Sequence, residues 1–156
     1  MKKFLKDYKK VVILGIGNEI KGDDAIGPII AKRLSTLFDR DNDIVIFDGG
    51  TVPENYTGSI RKENPTHIIL VDAVDMKKEP GYIRVVEKEE IAGYNISTHA
   101  MPVSFLIKYM EATIGAKITL IGIQPKQMEL NEGISKEVKK SSDEIVETFF
   151  EIINNE

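Results

Sequence analysis

Apolar positions along the chain fall into two alternating patterns. Short continuous runs, such as Val11-Val12-Ile13-Leu14, read as strands buried on both faces. Between them lie longer stretches whose apolar residues recur every three or four positions, the period of an amphipathic helix. The first strand is predicted over 11–16. A helix follows over 25–38, carrying Ile26, Ile29, Ile30, Leu34 and Leu37. A second strand spans 44–47 and ends in Asp48-Gly49-Gly50, and the polar stretch TVPENYTGS leads from there into a short helix. A third strand, HIILV at 67–71, ends in Asp72. The more polar GYIRVV at 81–86 fits an edge strand. Residues 102–114 read as a helix with Pro102 in its first turn. KITLIGI at 117–123 is the fifth strand, followed by Gln124-Pro125. The closing helix, 135–153, places Val138, Ile145, Phe149 and Ile152 on one face. Strands alternating with helices predict an α/β fold: a three-layer domain with a five-stranded, mostly parallel, twisted sheet and helices on both faces.

The connections between these elements carry the chemistry. The first strand runs into LGIGNEIKGDDAIG, a glycine-rich loop ending in the adjacent carboxylates Asp23 and Asp24. In an open α/β sheet, ligands bind outside the carboxyl ends of the strands. One Asp suffices to cap the following helix; the second is left over for function. Gly15-x-Gly17 lacks the third glycine of a dinucleotide loop, because position 20 is Ile, and the loop lacks the Gly-Lys-Ser/Thr ending of a P-loop. Asp48 and Asp72 end the second and third strands, and Asp75 follows closely. Like charges gathered on one rim repel unless a cation or proton relieves them. Asp48-Gly49-Gly50 is also good turn chemistry, and Asp75 fits a solvated loop.

The chain has two histidines. His67 opens an apolar strand and reads as a partly buried edge residue. His99 lies in Ser97-Thr98-His99-Ala100-Met101-Pro102, an irregular polar segment before a helix, where an imidazole suits metal ligation or acid–base work. Asp, Asp and His from separate loops would form an open N/O site suited to zinc, nickel or iron. There is no His-Glu-x-x-His for a tightly held catalytic zinc and no Gly-x-Ser-x-Gly for serine catalysis.

Composition narrows the field further. The 156 residues are 42 % hydrophobic, enough for a single domain over 1–156 with one sizeable core. A net charge of −4 with mixed Lys and Glu points away from nucleic acid. With no cysteine, thiolate metal sites, disulfides and a cysteine nucleophile are all excluded. No run approaches the roughly 18 apolar residues of a membrane span, and the expectation is a cytoplasmic protein.

Several segments together resemble the hydrogenase maturation endopeptidases of nickel-iron hydrogenases, in particular the hydrogenase 3, or formate hydrogenlyase, type. They are Gly15-Ile16-Gly17-Asn18 with Gly22-Asp23-Asp24-Ala25-Ile26-Gly27-Pro28, then Asp48-Gly49-Gly50-Thr51 with Pro53-Glu54-Asn55. Val71-Asp72-Ala73-Val74-Asp75-Met76, Thr98-His99-Ala100-Met101-Pro102 and Gly122-Ile123-Gln124-Pro125 follow in the family's order. The resemblance implies removal of a C-terminal extension from the hydrogenase large-subunit precursor after nickel insertion. It assigns metal contact and catalysis to Asp24, Asp72 and His99, with Asp23 as a further candidate base. Nickel would be carried by the precursor as a recognition feature, with no tightly held resident metal. The residues alone also admit a Mg²⁺-dependent phosphoacceptor domain or a non-enzymatic nickel-binding assembly module.

Overall fold

A computed structural model of the chain describes residues 1–96 and 101–155. In chain order the elements are β1 (Val11–Ile16), α1 (Ile26–Leu37), β2 (Ile44–Gly50), α2 (Thr57–Glu63), β3 (His67–Asp75), β4 (Ile83–Val86), α3 (Lys88–Ile91), β5 (Asn95–Ile96), α4 (Val103–Thr113), β6 (Lys117–Ile123) and α5 (Lys136–Asn154). Single 3-10 turns at Gly22–Ala25 and Pro53–Tyr56 precede α1 and α2. The main sheet runs β2-β1-β3-β6-β4. Its first four strands are parallel, and β4 closes one edge antiparallel to β6. The expected five-stranded, mostly parallel sheet with a polar edge strand is therefore present. Two-residue β5 adds a short antiparallel pairing at the end of β3, Val74 with Ile96 and Asp75 with Asn95.

The apolar runs work because both faces of the sheet are covered. Side chains of a strand alternate between faces. Val11, Ile13, Ile69 and Val71 pack with Ile26, Ile30 and Leu34 of α1 and with Val138, Ile145 and Phe149 of α5. Val12, Leu14, Ile68 and Leu70 pack on the opposite face with Ile60 of α2 and Leu106, Ile107 and Met110 of α4. Fully burying each such aliphatic side chain contributes about 1.5–3 kcal/mol, which makes the sheet centre the main source of stability. The α1 stripe is narrower than its pattern suggested, since Leu37 is 40 % exposed.

Glycine sets the distance between α1 and the sheet. A Cβ at Gly15 would overlap the carbonyl of Gly27, and a Cβ at Gly27 would overlap the backbone of Ile16 and the carbonyl of Val71. Both positions therefore exclude side chains, and their absence lets the start of α1 lie directly on β1 and β3.

His67 corrects its sequence reading. It opens a central strand, not an edge, and is buried, with Nδ1 2.9 Å from Thr66 Oγ1 and its ring edge-on to Phe4. Burial, reinforced by the nearby Lys117 charge, holds its pKa below the usual value. A lowered folded pKa means that the unfolded chain takes up the proton first as pH falls. Stability is therefore expected to drop once pH passes below the ordinary histidine value of about 6.5. Urea denaturation at neutral pH and pH 5.5 checks this: the loss should be larger in wild type than in His67→Phe. Equal losses in the two proteins would contradict it.

Candidate active site

The connections decide where this sheet can bind anything. From β1 the chain crosses by α1 to β2 on one side, whereas from β3 it proceeds by α4 to β6 on the other. The strand order thus reverses between β1 and β3, and the crevice outside their carboxyl ends is the topological switch point. Asp24 follows β1 and Asp72 belongs to the end of β3. The 3-10 turn that carries Asp24 packs against β3.

At Gly17, with φ +147°, the chain leaves β1, and the Gly17 N–H donates to Gly50 O at 2.9 Å. The loop then folds back on the acidic turn. The Asn18 N–H donates to Asp24 Oδ2 at 3.0 Å. Asp24 is 3 % exposed, and its second oxygen, Oδ1, is buried with no hydrogen-bond partner among the described residues. An orphaned oxygen on a buried carboxylate costs free energy unless a cation or proton engages it.

Asp23 is adjacent in sequence and differs in every partner. It is fully buried, and its Oδ1 accepts from the Ser135 N–H at 2.7 Å. Its Oδ2 accepts from Ser135 Oγ at 2.9 Å, the Lys126 N–H at 2.8 Å and the Gln127 N–H at 3.1 Å. Its hydrogen-bonding capacity is spent on fastening the loop between β6 and α5 to the acidic turn. Neither carboxylate caps α1, whose first turn has no side-chain cap. The pair thus divides into one latch and one oxygen left over.

Asp72 is fully buried and pairs in register with Gly122 of β6. Strand alternation puts it on the same face as Leu70 and Val74, and its Oδ1 accepts the Ala73 N–H at 2.8 Å. Asp24 thus follows the end of β1 and Asp72 lies near the end of the neighbouring β3, while His99 lies outside the described residues. Immediately before that segment, β5 pairs with Val74 and Asp75 at the end of β3. Among the described residues, no group of three or more His, Asp or Glu side chains is placed to hold a metal ion.

The remaining acidic candidates have structural partners. Asp48 Oδ1 accepts the Gly50 N–H at 3.2 Å, a local side-chain bond within the last residues of β2, which runs through the Asp-Gly-Gly expected to turn. Asp75 accepts from the Lys77 N–H and from Gln124 Nε2, and these bonds hold its carboxyl below the usual pKa range. Sequence reasoning missed Gln124 as an organiser. Its Oε1 accepts from the Met76 N–H at 2.6 Å and the Lys78 N–H at 3.2 Å, tying the ends of β3 and β6 together. Its place directly after an apolar strand, beside Pro125, was the available signal.

Beside the acidic turn runs an open cleft of about 400 Å³, lined by Gly17–Glu19, Asp48–Val52 and Tyr56. It lies between the loop that leaves β1 and the end of β2.

Comparison with known proteins adds four likenesses. The model of the HycI hydrogenase maturation protease family matches residues 28–152. A Methanocaldococcus jannaschii chain provisionally named a hydrogenase maturation protease is 41 % identical, over 96 % of this chain and 91 % of that one. The hydrogenase 3 maturation protease of Escherichia coli K12 is 38 % identical over 73 % of this chain and 72 % of its own length. Among solved structures, a [NiFe] hydrogenase maturation protease HycI from Thermococcus kodakarensis KOD1 superposes with a TM-score of 0.89 at 32 % identity, covering 98 % of this chain and 97 % of that one.

Proposed function

The chain belongs to the hydrogenase maturation protease family and is an endopeptidase, and we propose that it removes the C-terminal extension of a nickel-iron hydrogenase large-subunit precursor once nickel is in place. The observation that carries this reading is the unpartnered, buried Oδ1 of Asp24 at the switch point. Such an oxygen is ready for a positive centre that arrives with the substrate.

Nickel is here part of the substrate. Asp24 meets it together with Asp72 and His99, giving a carboxylate–imidazole set without thiolate. Thiolates would compete for a metal that must remain in the precursor, and the chain has no cysteine. A modest donor set recognises the metal and then lets the product leave. Contact with nickel positions the adjacent peptide in the cleft. Water adds to the scissile carbonyl carbon while its proton passes to a carboxylate. Collapse of the adduct breaks the C–N bond, and the proton moves to the leaving amine. Asp23, with both oxygens occupied by donors, anchors the site and does not take that proton. Among the described residues no helix is long and apolar enough to cross a membrane; the action we propose is cytoplasmic.

The test is direct. Purified chain mixed with nickel-loaded precursor should yield a shortened large subunit plus a free C-terminal peptide, both weighed by mass spectrometry. A stable complex with no cleavage would defeat the proposal and leave a nickel-binding assembly module.

A further inference from the structure

One edge of the main sheet is open and leads into the cleft. β2 stands at the end of the strand order, with β1 as its neighbour on one side. The Val11 N–H donates to Asp43 O at 2.8 Å, and Val11 is in register with Ile44. In a parallel pair, alternate residues turn their main-chain groups towards the neighbouring strand. Asp43, Val45 and Phe47 therefore face β1, and Ile44, Ile46 and Asp48 turn their N–H and C=O groups outward. Among the described residues no strand pairs with that outer side, and no main-chain bond from a loop reaches these three residues. The register shifts only beyond them, between Gly15 and Ile16 of β1.

Open edges are templates for pairing with another chain, and proteins usually blunt them with charge, proline or a bulge. The opposite edge of this sheet follows that rule: β4 carries Arg84, whose guanidinium pairs with Glu90 of α3 at 2.7 Å. β2, with the sequence IVIFDGG, has neither lysine nor proline. Ile46 on one face and Val45 and Phe47 on the other are only partly buried, so an added strand gains apolar contact on both faces. Asp48, Gly49 and Gly50 at the end of β2 line the cleft together with Gly17–Glu19, from the loop that continues to Asp24. Edge and cleft are thus one continuous surface, and a strand laid on β2 ends beside the acidic turn.

We infer that β2 receives the C-terminal extension of the precursor as an added, antiparallel strand. The inference rests on the peptidase reading above and adds the element that holds the tail. With the scissile bond at the cleft, the extension lies on its carboxyl side. It leaves the cleft at Asp48 and runs towards Ile44, against the direction of β2. The outward N–H and C=O groups of Ile46 bond to one residue of the extension, and those of Asp48 and Ile44 to the residues two before and two after it. Main-chain pairing tolerates many sequences, so the tail is selected for being extended and rich in apolar, β-branched residues.

A proline scan of the extension tests it, because proline lacks the N–H that the pairing needs. Proline is placed in turn at successive positions of the extension in otherwise unchanged, nickel-loaded precursor. KM for processing should rise about fivefold or more at every second position and little at those between. A scan without that alternation would overturn the added strand. Amide exchange followed by NMR reads the same pairing from this chain. In the free protein the N–H groups of Ile46 and Asp48 should exchange faster than those of Val45 and Phe47. Excess synthetic peptide of the extension sequence should slow the first pair and leave the second unchanged. Exchange at Ile46 and Asp48 unaltered by the peptide would overturn the proposal. So would sedimentation showing a dimer in which both are already protected, because the edge would then belong to a second copy. A wild-type protein that leaves the unsubstituted precursor uncut would sink the peptidase reading instead. The exchange experiment then judges the edge alone: protection by the peptide supports it, and no change overturns it.

Discussion

Asp24→Asn should abolish processing of nickel-loaded precursor while leaving the protein at least as stable as wild type. The two halves of this expectation share one cause. Asp24 has a buried oxygen without a donor among the described residues, and a buried carboxylate oxygen left unpaired costs the fold free energy. The amide preserves shape and can still accept the Asn18 N–H, but it removes the negative charge that a metal-bearing substrate would meet. Loss of such a positioned group lowers rates by about 10²–10⁴. Processing followed by gel shift, with thermal denaturation alongside, reads both effects. Wild-type processing by the variant, or a collapse of its stability, would contradict the assignment.

Asp23→Ala should act in the opposite direction, on the fold first. It removes the acceptor for the Ser135 N–H, Ser135 Oγ and the Lys126 and Gln127 N–H groups. Leaving these donors unsatisfied costs about 1–3 kcal/mol for each that stays buried, together a large share of the 5–15 kcal/mol that typically separates folded from unfolded domains. Ser135→Ala removes the hydroxyl that donates to Asp23 and accepts the Val138 N–H at the start of α5, and should cost about 1–2 kcal/mol. Urea denaturation of the three proteins measures the series. Asp23→Ala with wild-type stability would show that the loop after β6 is held by other contacts. Two neighbouring aspartates would thus give substitutions of opposite character, one lethal to activity and one to structure.

Nothing in the local sequence separates those two roles. Asp23 and Asp24 sit in the same glycine-rich loop with the same composition around them. The distinction arises from Lys126, Gln127 and Ser135, more than a hundred residues along the chain, and local patterning cannot register a partner at that distance. The sheet was far more legible. The bounds expected for β1 and β6, 11–16 and 117–123, are those observed, because both strands are buried over most of their length. Strand β3 continues to Asp75, beyond the apolar run ending at Val71, because Asp72 is a charged residue tolerated inside a strand. A carboxylate there breaks the pattern without breaking the pairing. Strand β2 similarly extends through Gly49 and Gly50, where turn chemistry suggested a stop. The four-residue α3 and two-residue β5 are too short to show any period. His67 was misplaced because a polar residue at a strand start looks peripheral until the strand is seen to lie between β1 and β6.

The central claim is that this peptidase recognises nickel carried by its substrate. Matched samples of one large-subunit precursor, nickel-loaded and nickel-free, treated with the same amount of this protein, test it most directly. The account predicts a shortened product from the nickel-loaded sample and intact precursor from the other. Cleavage at equal rates in both would contradict it and leave a peptidase that reads sequence alone.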